Sequence, residues 1–355
     1  MLRNSLQQKI KEGPVYLAFF LVALVSAVIS SCSSDTQHAK LEQLFFSGDT
    51  MGTTYSIKAV VAPDNTIDMA SLAQQIKMLL EDYNEVMSTY ISDSELSRFN
   101  RAPVGEWVSL SDDLFDILHV SEQVSQISDG AFDITLGPLI NLWGFGPATR
   151  STPPSDEMIA SVKADIGHHY VEIDEASKRA RRQKNVEVSL SAVAKGYATD
   201  VVARLLENNS INNYMIEIGG ELKIRGVNQR DKHWKIGIEK PALGRTGVVQ
   251  AVTGDNVAIA TSGEYRNYYE ENGVRVSHTL NPVTGKPIRH KLASVTVVTE
   301  LGGYADAYAT ALNVLGPAEG YELAEREKLA AFFIVSEGDS FRIKYTSEFE
   351  KYMVQ

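Results

Sequence analysis

The sequence predicts an α+β fold, with mainly antiparallel sheets and inserted helices, in a single bilobal domain. Short alternating or β-branched segments follow one another with turn residues between them, which is typical of strands joined by hairpins. The clearest hairpin signal is Asn272-Gly273, which stands between the alternating segments Tyr265–Tyr269 and Val274–His278. No linker-like stretch divides the chain after Phe45. We therefore expect one domain over residues 45–355.

Helices and strands can be assigned in order along this domain. Three amphipathic helices each follow a serine N-cap, Ser71, Ser111 and Ser155, and end near Met87, Asp129-Gly130 and Gly167. Two more helices are predicted: one begins at Asp306, and the other covers Tyr321–Arg326. The predicted strands are rich in β-branched residues: Ser56–Val61, Val171–Asp174, Val186–Leu190, Tyr214–Ile218, Leu222–Arg225, Trp234–Glu239, Val248–Val252, Val257–Thr261, Ser294–Thr299, Ala330–Val335 and Phe341–Tyr345.

Composition places the chain among globular proteins and argues against nucleic acid as a partner. The 355 residues are 44% hydrophobic and 22% charged, too apolar for a disordered chain. The formal net charge of -11 would repel a nucleic-acid backbone. The single cysteine rules out a disulfide within the chain.

The N-terminus predicts export and lipid anchoring. Basic residues (Arg3, Lys9 and Lys11) precede an apolar run, Val15–Ile29, which has the form of a secretory signal. The run ends in Ser30-Ser31-Cys32, and this apolar–small–small–Cys order resembles the bacterial lipobox, in which the cysteine is lipidated. We expect residues 1–31 to be a lipoprotein signal peptide and residues 32–44 a lipidated tether. The alternative is a plain signal anchor with a chance cysteine.

A candidate metal corner lies between Ser262 and Gly316. His278 ends a predicted strand and is followed by a Pro/Gly loop, residues 281–285, whose backbone can approach a ligand closely. Asp306 and Thr310 are one helical turn apart, so their side chains share a face. A carboxylate and a hydroxyl can together supply oxygen ligands to a hard cation. The plainer alternatives are an N-cap role for Asp306 and a backbone hydrogen bond for Thr310.

Two other stretches suit a flat, anionic ligand. Lys195 stands where a strand passes into a helix, and a lysine beside a helix N-terminus can bind phosphate. The glycine spacing of a P-loop or a dinucleotide fingerprint is absent around it. Residues 131–146 are rich in glycine and aromatic residues and can form a wall for a ring, or a buried aromatic corner. Tyr90 on its own is best read as a core aromatic.

Together these motifs resemble one family, the ApbE-type FAD:protein FMN transferases, also known as the thiamine-biosynthesis-lipoprotein family. The resemblance covers roughly residues 45–345 and depends on eight blocks in family order. The blocks are Asp49–Tyr55, Tyr90 with Asp93-Ser94-Glu95-Leu96, Gly130–Asp133, Ala194–Asp200, Ile218–Glu221, Ser262–Arg266, His278–Gly285 and Asp306–Gly316. The residues give no support to a role in thiamine biosynthesis.

The resemblance implies a Mg²⁺-dependent enzyme that moves FMN from FAD onto a threonine hydroxyl of a target flavoprotein and releases AMP. Targets in the family are subunits of sodium-pumping quinone reductases and related electron-transport complexes. This implies a lipid-anchored protein on the periplasmic side of the cell inner membrane. Ser33, directly after Cys32, is not the aspartate that commonly signals inner-membrane retention, so that location depends on the family's targets.

The resemblance also assigns residues. By match to the family motif, the flavin contacts fall on Met51, Tyr90, Ala131, Phe132, Asp133, Lys195 and Leu280. The metal falls on the carbonyl of Ala192 and on the side chains of Asp306 and Thr310. His278 is the candidate base or phosphate contact, with a structural histidine as the alternative, and Asp306 can instead orient the incoming threonine. The chain departs from the family pattern at Ser189, where an acidic residue is common, and at Lys195, where some relatives have glutamate.

Two other functions remain open from the sequence. A Mg²⁺-dependent FAD pyrophosphatase giving FMN and AMP would use the same metal corner, with water replacing the threonine. A non-catalytic FAD-binding lipoprotein would not need that corner, so Asp306 with Thr310 argues against it. We expect no transition-metal site, because His168-His169 and His290 read as loop or surface residues.

Overall fold

Residues 40–145, 153–241, 247–263, 268–271, 274–338 and 340–354 are described by the computed structural model of this chain. The predicted signal peptide, Cys32 and the hairpin turn Asn272-Gly273 lie outside the described residues. Residues from Leu41 to Gln355 cluster as one unit. None of the helices in the described part of the chain is both long and apolar enough to cross a membrane.

Strands occur throughout the described chain, and their bounds are as follows. They are β1 (Glu42–Thr50), β2 (Thr53–Val61), β3 (Val108–Ser109), β4 (Val171–Asp174), β5 (Arg179–Arg182), β6 (Asn213–Ile218), β7 (Glu221–Arg225), β8 (Lys235–Glu239), β9 (Val248–Thr253), β10 (Val257–Gly263), β11 (Tyr268–Glu271), β12 (Val274–Ser277), β13 (Leu280–Asn281), β14 (Lys286–Pro287), β15 (Leu292–Thr299), β16 (Ala330–Glu337) and β17 (Ser340–Tyr345).

The α-helices are inserted between these strands. They are α1 (Met69–Met87), α2 (Glu95–Arg101), α3 (Asp112–Ile127), α4 (Gly137–Leu142), α5 (Asp156–Lys163), α6 (Ala194–Asn208) and α7 (Gly302–Arg326). Short 3₁₀ segments cover His168–Tyr170 and Ser347–Tyr352.

One large antiparallel sheet organises the fold. Its eight strands run in the order β1-β2-β6-β7-β10-β15-β16-β17, and each neighbouring pair is antiparallel. Smaller antiparallel sheets pair β8 with β9, β11 with β12, β13 with β14, and β5 with both β3 and β4. The predicted α+β class with mainly antiparallel sheet is therefore confirmed.

The two faces of the large sheet carry different cores because side chains alternate along each strand. On β16, Ala331, Phe333 and Val335 belong to the larger cluster, which also contains the apolar faces of α1, α3, α6 and α7. Phe332 and Ile334 point the other way, into a smaller cluster that includes residues of β8 and β9. The helices thus cover one face, and the small β8–β9 sheet packs on the other.

Several predicted helix ends are shifted in the structure. Helix α1 begins at Met69 because the Asp68 side chain accepts hydrogen bonds from the backbone of Ala70 and Ser71, so Ser71 is not the cap. The caps at Ser111 and Ser155 are confirmed, since each hydroxyl accepts from the backbone N–H three residues later. The helix after Ser155 ends at Lys163 rather than near Gly167.

The predicted hairpin around residues 178–182 was wrong about its turn and its second strand. Its second strand is β5, Arg179–Arg182, which pairs with β4, whereas Val186–Leu190 is not a strand. Arg179 and Arg181 lie on this strand instead of in a turn. They pair with the acidic residues Asp174 and Glu172, respectively.

Helix α7 also differs from the prediction. It begins at Gly302, with Leu301 as its N-cap residue, so Asp306 lies more than one turn inside and is not a cap. Gly316 has φ of 78° and ψ of -170°, which interrupts the helix just before Pro317. The two helices predicted from Asp306 and over Tyr321–Arg326 are therefore the two halves of α7, separated at this glycine.

Candidate active site

A cavity of about 640 Å³ lies where α6, α7, the β6–β7 turn, β8 and β10 meet. Nine residues that the sequence analysis proposed for the site line it together: Ala131, Phe132, Asp133, Ala192, Lys195, His278, Leu280, Asp306 and Thr310. These residues come from separate segments, between position 131 and position 310. Only the tertiary fold brings them into one cavity.

The charged centre of the cavity is a cluster of Lys195, Glu221 and Asp306. The Lys195 ammonium lies 3.0 Å from Oε1 of Glu221 and 3.8 Å from Oδ2 of Asp306. Both carboxylates are buried, whereas the lysine side chain is 29% exposed and reaches the cavity. The ammonium is thus the cluster's positive group toward a ligand.

Burial and mutual repulsion shift the pKa of each member of this cluster. Burial raises the pKa of Glu221 to about 7, with the charge of Asp306 adding to the effect and Lys195 opposing it. Burial also raises the pKa of Asp306, against the pull of Lys195 and the Gly196 N–H. Burial lowers the pKa of Lys195, but the two carboxylates outweigh that effect and raise it overall. The lysine therefore stays charged.

Asp306 is held by a backbone hydrogen bond that also opens a carbonyl group. The Gly196 N–H donates to Oδ2 of Asp306 at 3.0 Å. In a regular helix this N–H would donate to the carbonyl of Ala192, and that carbonyl accepts no backbone hydrogen bond from the described residues. One geometric feature thus orients Asp306 and frees the Ala192 oxygen.

These groups fit a hard divalent cation. The proposed donors are a carboxylate, a hydroxyl and a carbonyl, all of them oxygens of the kind that Mg²⁺ prefers. Thr310, one turn after Asp306 on α7, lines the cavity and forms no side-chain hydrogen bond within the described part of the chain. Oε2 of Glu221 is buried without a hydrogen-bond partner, and the cluster contains two carboxylates for one ammonium. No cluster of three His, Cys, Asp or Glu side chains suited to a metal occurs among the described residues.

Two glycines allow α6 and α7 to cross close to this cluster. A Cβ on Gly196 would lie 2.2 Å from the Gly302 carbonyl oxygen and 2.6 Å from Cβ of Asp306. From α6, Asp200 accepts a hydrogen bond from the Gly303 N–H and pairs with Lys223 at 3.5 Å. The start of α7, and with it Asp306, is therefore fixed against the start of α6.

The wall formed by residues 131–136 is shaped by Asp133. Its Oδ1 accepts hydrogen bonds from the N–H and hydroxyl of Thr135, and its Oδ2 accepts from the N–H of His168. Burial raises the pKa of Asp133, which the hydrogen bonds from Thr135 oppose. Its carboxylate thus holds the loop that presents Ala131 and the buried ring of Phe132 at the cavity.

His278 and Leu280 form another part of the wall, beside the predicted Pro/Gly loop. The ring of Phe145 meets His278 edge-on, with centroids 6.4 Å apart. Leu280 packs with Trp143, whose indole N–H donates to the Gly285 carbonyl at 2.9 Å. This contact holds the loop against the wall, while the approach of its backbone to a ligand stays a prediction.

Met51 and Tyr90, two of the predicted flavin contacts, do not line the cavity. Met51 stands in the β1–β2 turn with φ of 48°, and Tyr90 follows α1 with 74% of its surface exposed. Tyr90 is therefore not a core aromatic, and the structure leaves its side chain open to a partner or ligand.

The other histidines were partly misread from the sequence. His168 and His290 are half-buried instead of superficial. His168 pairs with Glu122 at 3.1 Å, and Nε2 of His290 lies 2.6 Å from the Asn313 carbonyl oxygen. Both contacts are structural and lie outside the cavity lining.

Glu221 belongs to one of the blocks that resemble the family, but the sequence alone assigns it no role. The signal in the sequence is the Gly219-Gly220 pair before Glu221, because a tight β6–β7 turn keeps the side chain after the turn close to the strand before it. Gly219 has φ of 61°, and a Cβ there would lie 3.0 Å from Cδ of Lys195. Ser189, where the family pattern often has an acidic residue, also lines the cavity.

Comparisons with known proteins agree on one family. The ApbE family model matches residues 51–333. A relative from Vibrio cholerae named FAD:protein FMN transferase is 39% identical over 336 residues, which are 94% of this chain and 98% of that protein. The structure of a flavin transferase ApbE from Vibrio cholerae superposes with a TM-score of 0.81 at 39% identity, covering 88% of this chain and 99% of the other. That of a Pseudomonas stutzeri flavinyl transferase ApbE, in apo form, gives 0.80 at 40% identity, covering 88% and 96%. The chain belongs to the ApbE family.

Proposed function

We propose that this protein transfers FMN from FAD onto a threonine hydroxyl of a target flavoprotein, releases AMP and requires Mg²⁺. The observation that carries the proposal is the grouping of Asp306, Thr310 and the open Ala192 carbonyl beside Lys195 in one cavity. The similarity to FAD:protein FMN transferases over nearly the whole chain supports it. The cavity combines an apolar wall with a few convergent polar groups, as ligand sites generally do.

In the proposed reaction the bond between the FMN phosphorus and the bridging pyrophosphate oxygen breaks, and AMP leaves with that oxygen. A new bond forms between the same phosphorus and the threonine oxygen. Such a transfer asks the protein mainly to position groups and neutralise charge. Lys195, which stays charged, would bind the pyrophosphate, and the cation, when bound, would stabilise negative charge on the phosphates.

The threonine proton needs an acceptor in the cavity wall. Oδ2 of Asp306 already accepts the Gly196 N–H and faces Lys195, so it is poorly placed to take a proton. His278 lines the same cavity, and an imidazole is the side chain best suited to proton transfer at physiological pH. In this proposal His278 takes the proton, while Asp306 binds the cation.

The proposal is tested by mass spectrometry of an acceptor domain incubated with the protein, FAD and Mg²⁺. We expect an FMN-sized mass gain on a threonine. Asp306→Asn is expected to lower the transfer rate at least about 100-fold, as for loss of one transition-state charge contact. Asp112→Asn, at an exposed pair with Lys178, is the matched control and should keep the wild-type rate.

Other products would contradict the transferase. AMP and free FMN, with no modification of any threonine-bearing acceptor tried, would identify an FAD pyrophosphatase. Bound FAD that stays intact with Mg²⁺ present would identify a flavin carrier and remove the catalytic role of Asp306.

The location and the acceptor are also part of the proposal. The basic segment, the apolar run and the Ser30-Ser31-Cys32 junction support lipid anchoring after export. A lipid-anchored enzyme on the periplasmic side of the inner membrane would meet membrane-associated acceptors, such as subunits of sodium-pumping quinone reductases or related electron-transport complexes.

A further inference from the structure

The cluster of Lys195, Glu221 and Asp306 has an asymmetry that the proposed reaction does not explain. The ammonium is closer to Glu221, at 3.0 Å with a hydrogen bond, than to Asp306, at 3.8 Å. Glu221 extends from β7, and Asp306 extends from α7. The lysine is therefore drawn toward the sheet and away from the helix that carries the proposed metal ligands.

The surroundings of the lysine favour this arrangement. Its stem passes Gly219, where a Cβ would lie 3.0 Å from Cδ of Lys195, so the glycine leaves room for the lysine to lie against the β6–β7 turn. Asp306 is satisfied in another way, by the Gly196 N–H at 3.0 Å. Asp306 thus does not need the ammonium to hold its orientation.

The charge of the cluster points the same way. Two carboxylates face one ammonium, and Oε2 of Glu221 is buried without a hydrogen-bond partner. Burying an extra carboxylate is unfavourable unless another positive charge joins it. A second positive charge beside Asp306 would balance the cluster, provided that the ammonium stays on Glu221.

We propose that Glu221 is a positioning residue that holds the Lys195 ammonium off Asp306, leaving Asp306 for a divalent cation and Lys195 for the pyrophosphate. This inference rests on the proposed function. Without the Glu221 charge, Asp306 is the remaining carboxylate within reach of the ammonium. A direct Lys195–Asp306 pair would place a positive charge where the cation must bind.

The experiment is a titration of the FAD-free, full-length protein with Mn²⁺ at pH 8, in which electron paramagnetic resonance measures the bound and free Mn²⁺. Glu221→Gln keeps the size of the side chain and removes its charge. We expect it to weaken Mn²⁺ binding at least tenfold. Lys195→Met should not weaken binding, because it removes the competing ammonium.

The double variant Lys195→Met/Glu221→Gln distinguishes positioning from a general loss of negative charge. With no ammonium to restrain, the double variant should bind Mn²⁺ within about threefold of the Lys195→Met variant. Independent effects would instead add. Glu207→Gln is the control, since Glu207 pairs with Arg225 and Tyr214 at 2.7 Å outside the cavity lining, and it should bind Mn²⁺ as the wild type does.

A second readout concerns the reaction itself. In Glu221→Gln we expect the Mg²⁺ concentration for half-maximal FMN transfer to rise, with the maximal rate recovered at high Mg²⁺. Wild-type Mn²⁺ affinity in Glu221→Gln, or a double variant as weak as that single variant, would overturn the inference while leaving the transferase intact. If the wild-type protein binds Mn²⁺ but never transfers FMN, the proposed function falls instead.

Discussion

At the scale of single residues, Asp306 shows how one carboxylate can serve two purposes. Its Oδ2 accepts the Gly196 N–H, whereas Oδ1 has no hydrogen-bond partner within the described residues. The backbone donor fixes the side-chain orientation, and the other oxygen is left for a ligand. Asp133 differs from Asp306, because both of its carboxylate oxygens accept hydrogen bonds that hold a loop.

Glu221 leads to a prediction about pH. The folded protein holds the proton of this carboxyl up to about pH 7, above its ordinary value of 4.5. Stability from this group is therefore fully present at low pH and is lost as the pH rises through that interval. We expect the urea midpoint of the metal-free protein to fall between pH 5 and 8, and to fall less in Glu221→Gln.

This comparison is made by urea unfolding with a chelator present. Asp200 and Asp133, buried acids with a raised pKa, are common to both proteins, so the difference between the two curves reports Glu221 together with its charge interaction with Asp306. Parallel curves would show that burial does not raise the pKa of the Glu221 carboxyl.

At the scale of elements, the crossing of α6 and α7 determines the site more than any single side chain. The helices meet at Gly196 and Gly302, each of which excludes a Cβ by contact with the other's carbonyl oxygen. Asp200 then ties the start of α7 to α6 through the Gly303 N–H. The candidate metal ligands lie on both sides of this contact, so their spacing depends on it.

Gly196→Ala should therefore impair both stability and the site. The new methyl group would force the helices apart and lengthen the hydrogen bond from residue 196 to Asp306, at a cost of about 1–3 kcal/mol in unfolding free energy. Urea unfolding measures the stability, and Mn²⁺ titration measures the site. Gly247→Ala is the control, since a Cβ there meets nothing within 4 Å. Equal stability of the two variants would contradict the tight crossing.

At the scale of the whole molecule, the large sheet lies between two hydrophobic cores, and the cavity lies where the ends of its strands meet both layers. Strands β6 and β10 bury alternate side chains under the helices, and Gly219, directly after β6, and Gly263, at the end of β10, line the cavity. The small β8–β9 sheet contributes Ile236 and Ile238 to the opposite wall. The cavity thus needs both layers to be complete.

The proposed lipid anchor gives a prediction at this scale. Cys32→Ser removes the only thiol that could carry a lipid, so we expect the protein to lose its incorporation of labelled palmitate in cells. The anchor should not affect folding, and Ser33→Ala is the matched control. Equal labelling of the Cys32→Ser variant and the wild type would exclude lipidation at this cysteine.

The sequence by itself determined much of the fold. Apolar and β-branched patterns predict seven of the eight strands of the large sheet because one-residue steps place side chains on opposite faces, and serine caps predict the starts of α3 and α5. The exception is β1, which begins at Glu42, inside the segment that was predicted to be a tether. It failed locally at Arg179–Arg182, where the basic run reads as a turn because the acidic partners Asp174 and Glu172 cannot be assigned from spacing alone. The cap at Asp68 was missed for a similar reason, since Ser71 offers an equally good local signal.

For the site, the sequence indicated residue types, and only the tertiary structure decided their arrangement. The one-turn spacing of Asp306 and Thr310 is local and could be read directly, as could the lysine at the start of α6. That Gly196 donates to Asp306, or that Glu221 holds Lys195, depends on segments 110 and 26 residues apart. Such contacts follow from how close two helices and a sheet can pack, which glycines without side chains allow but no linear pattern encodes.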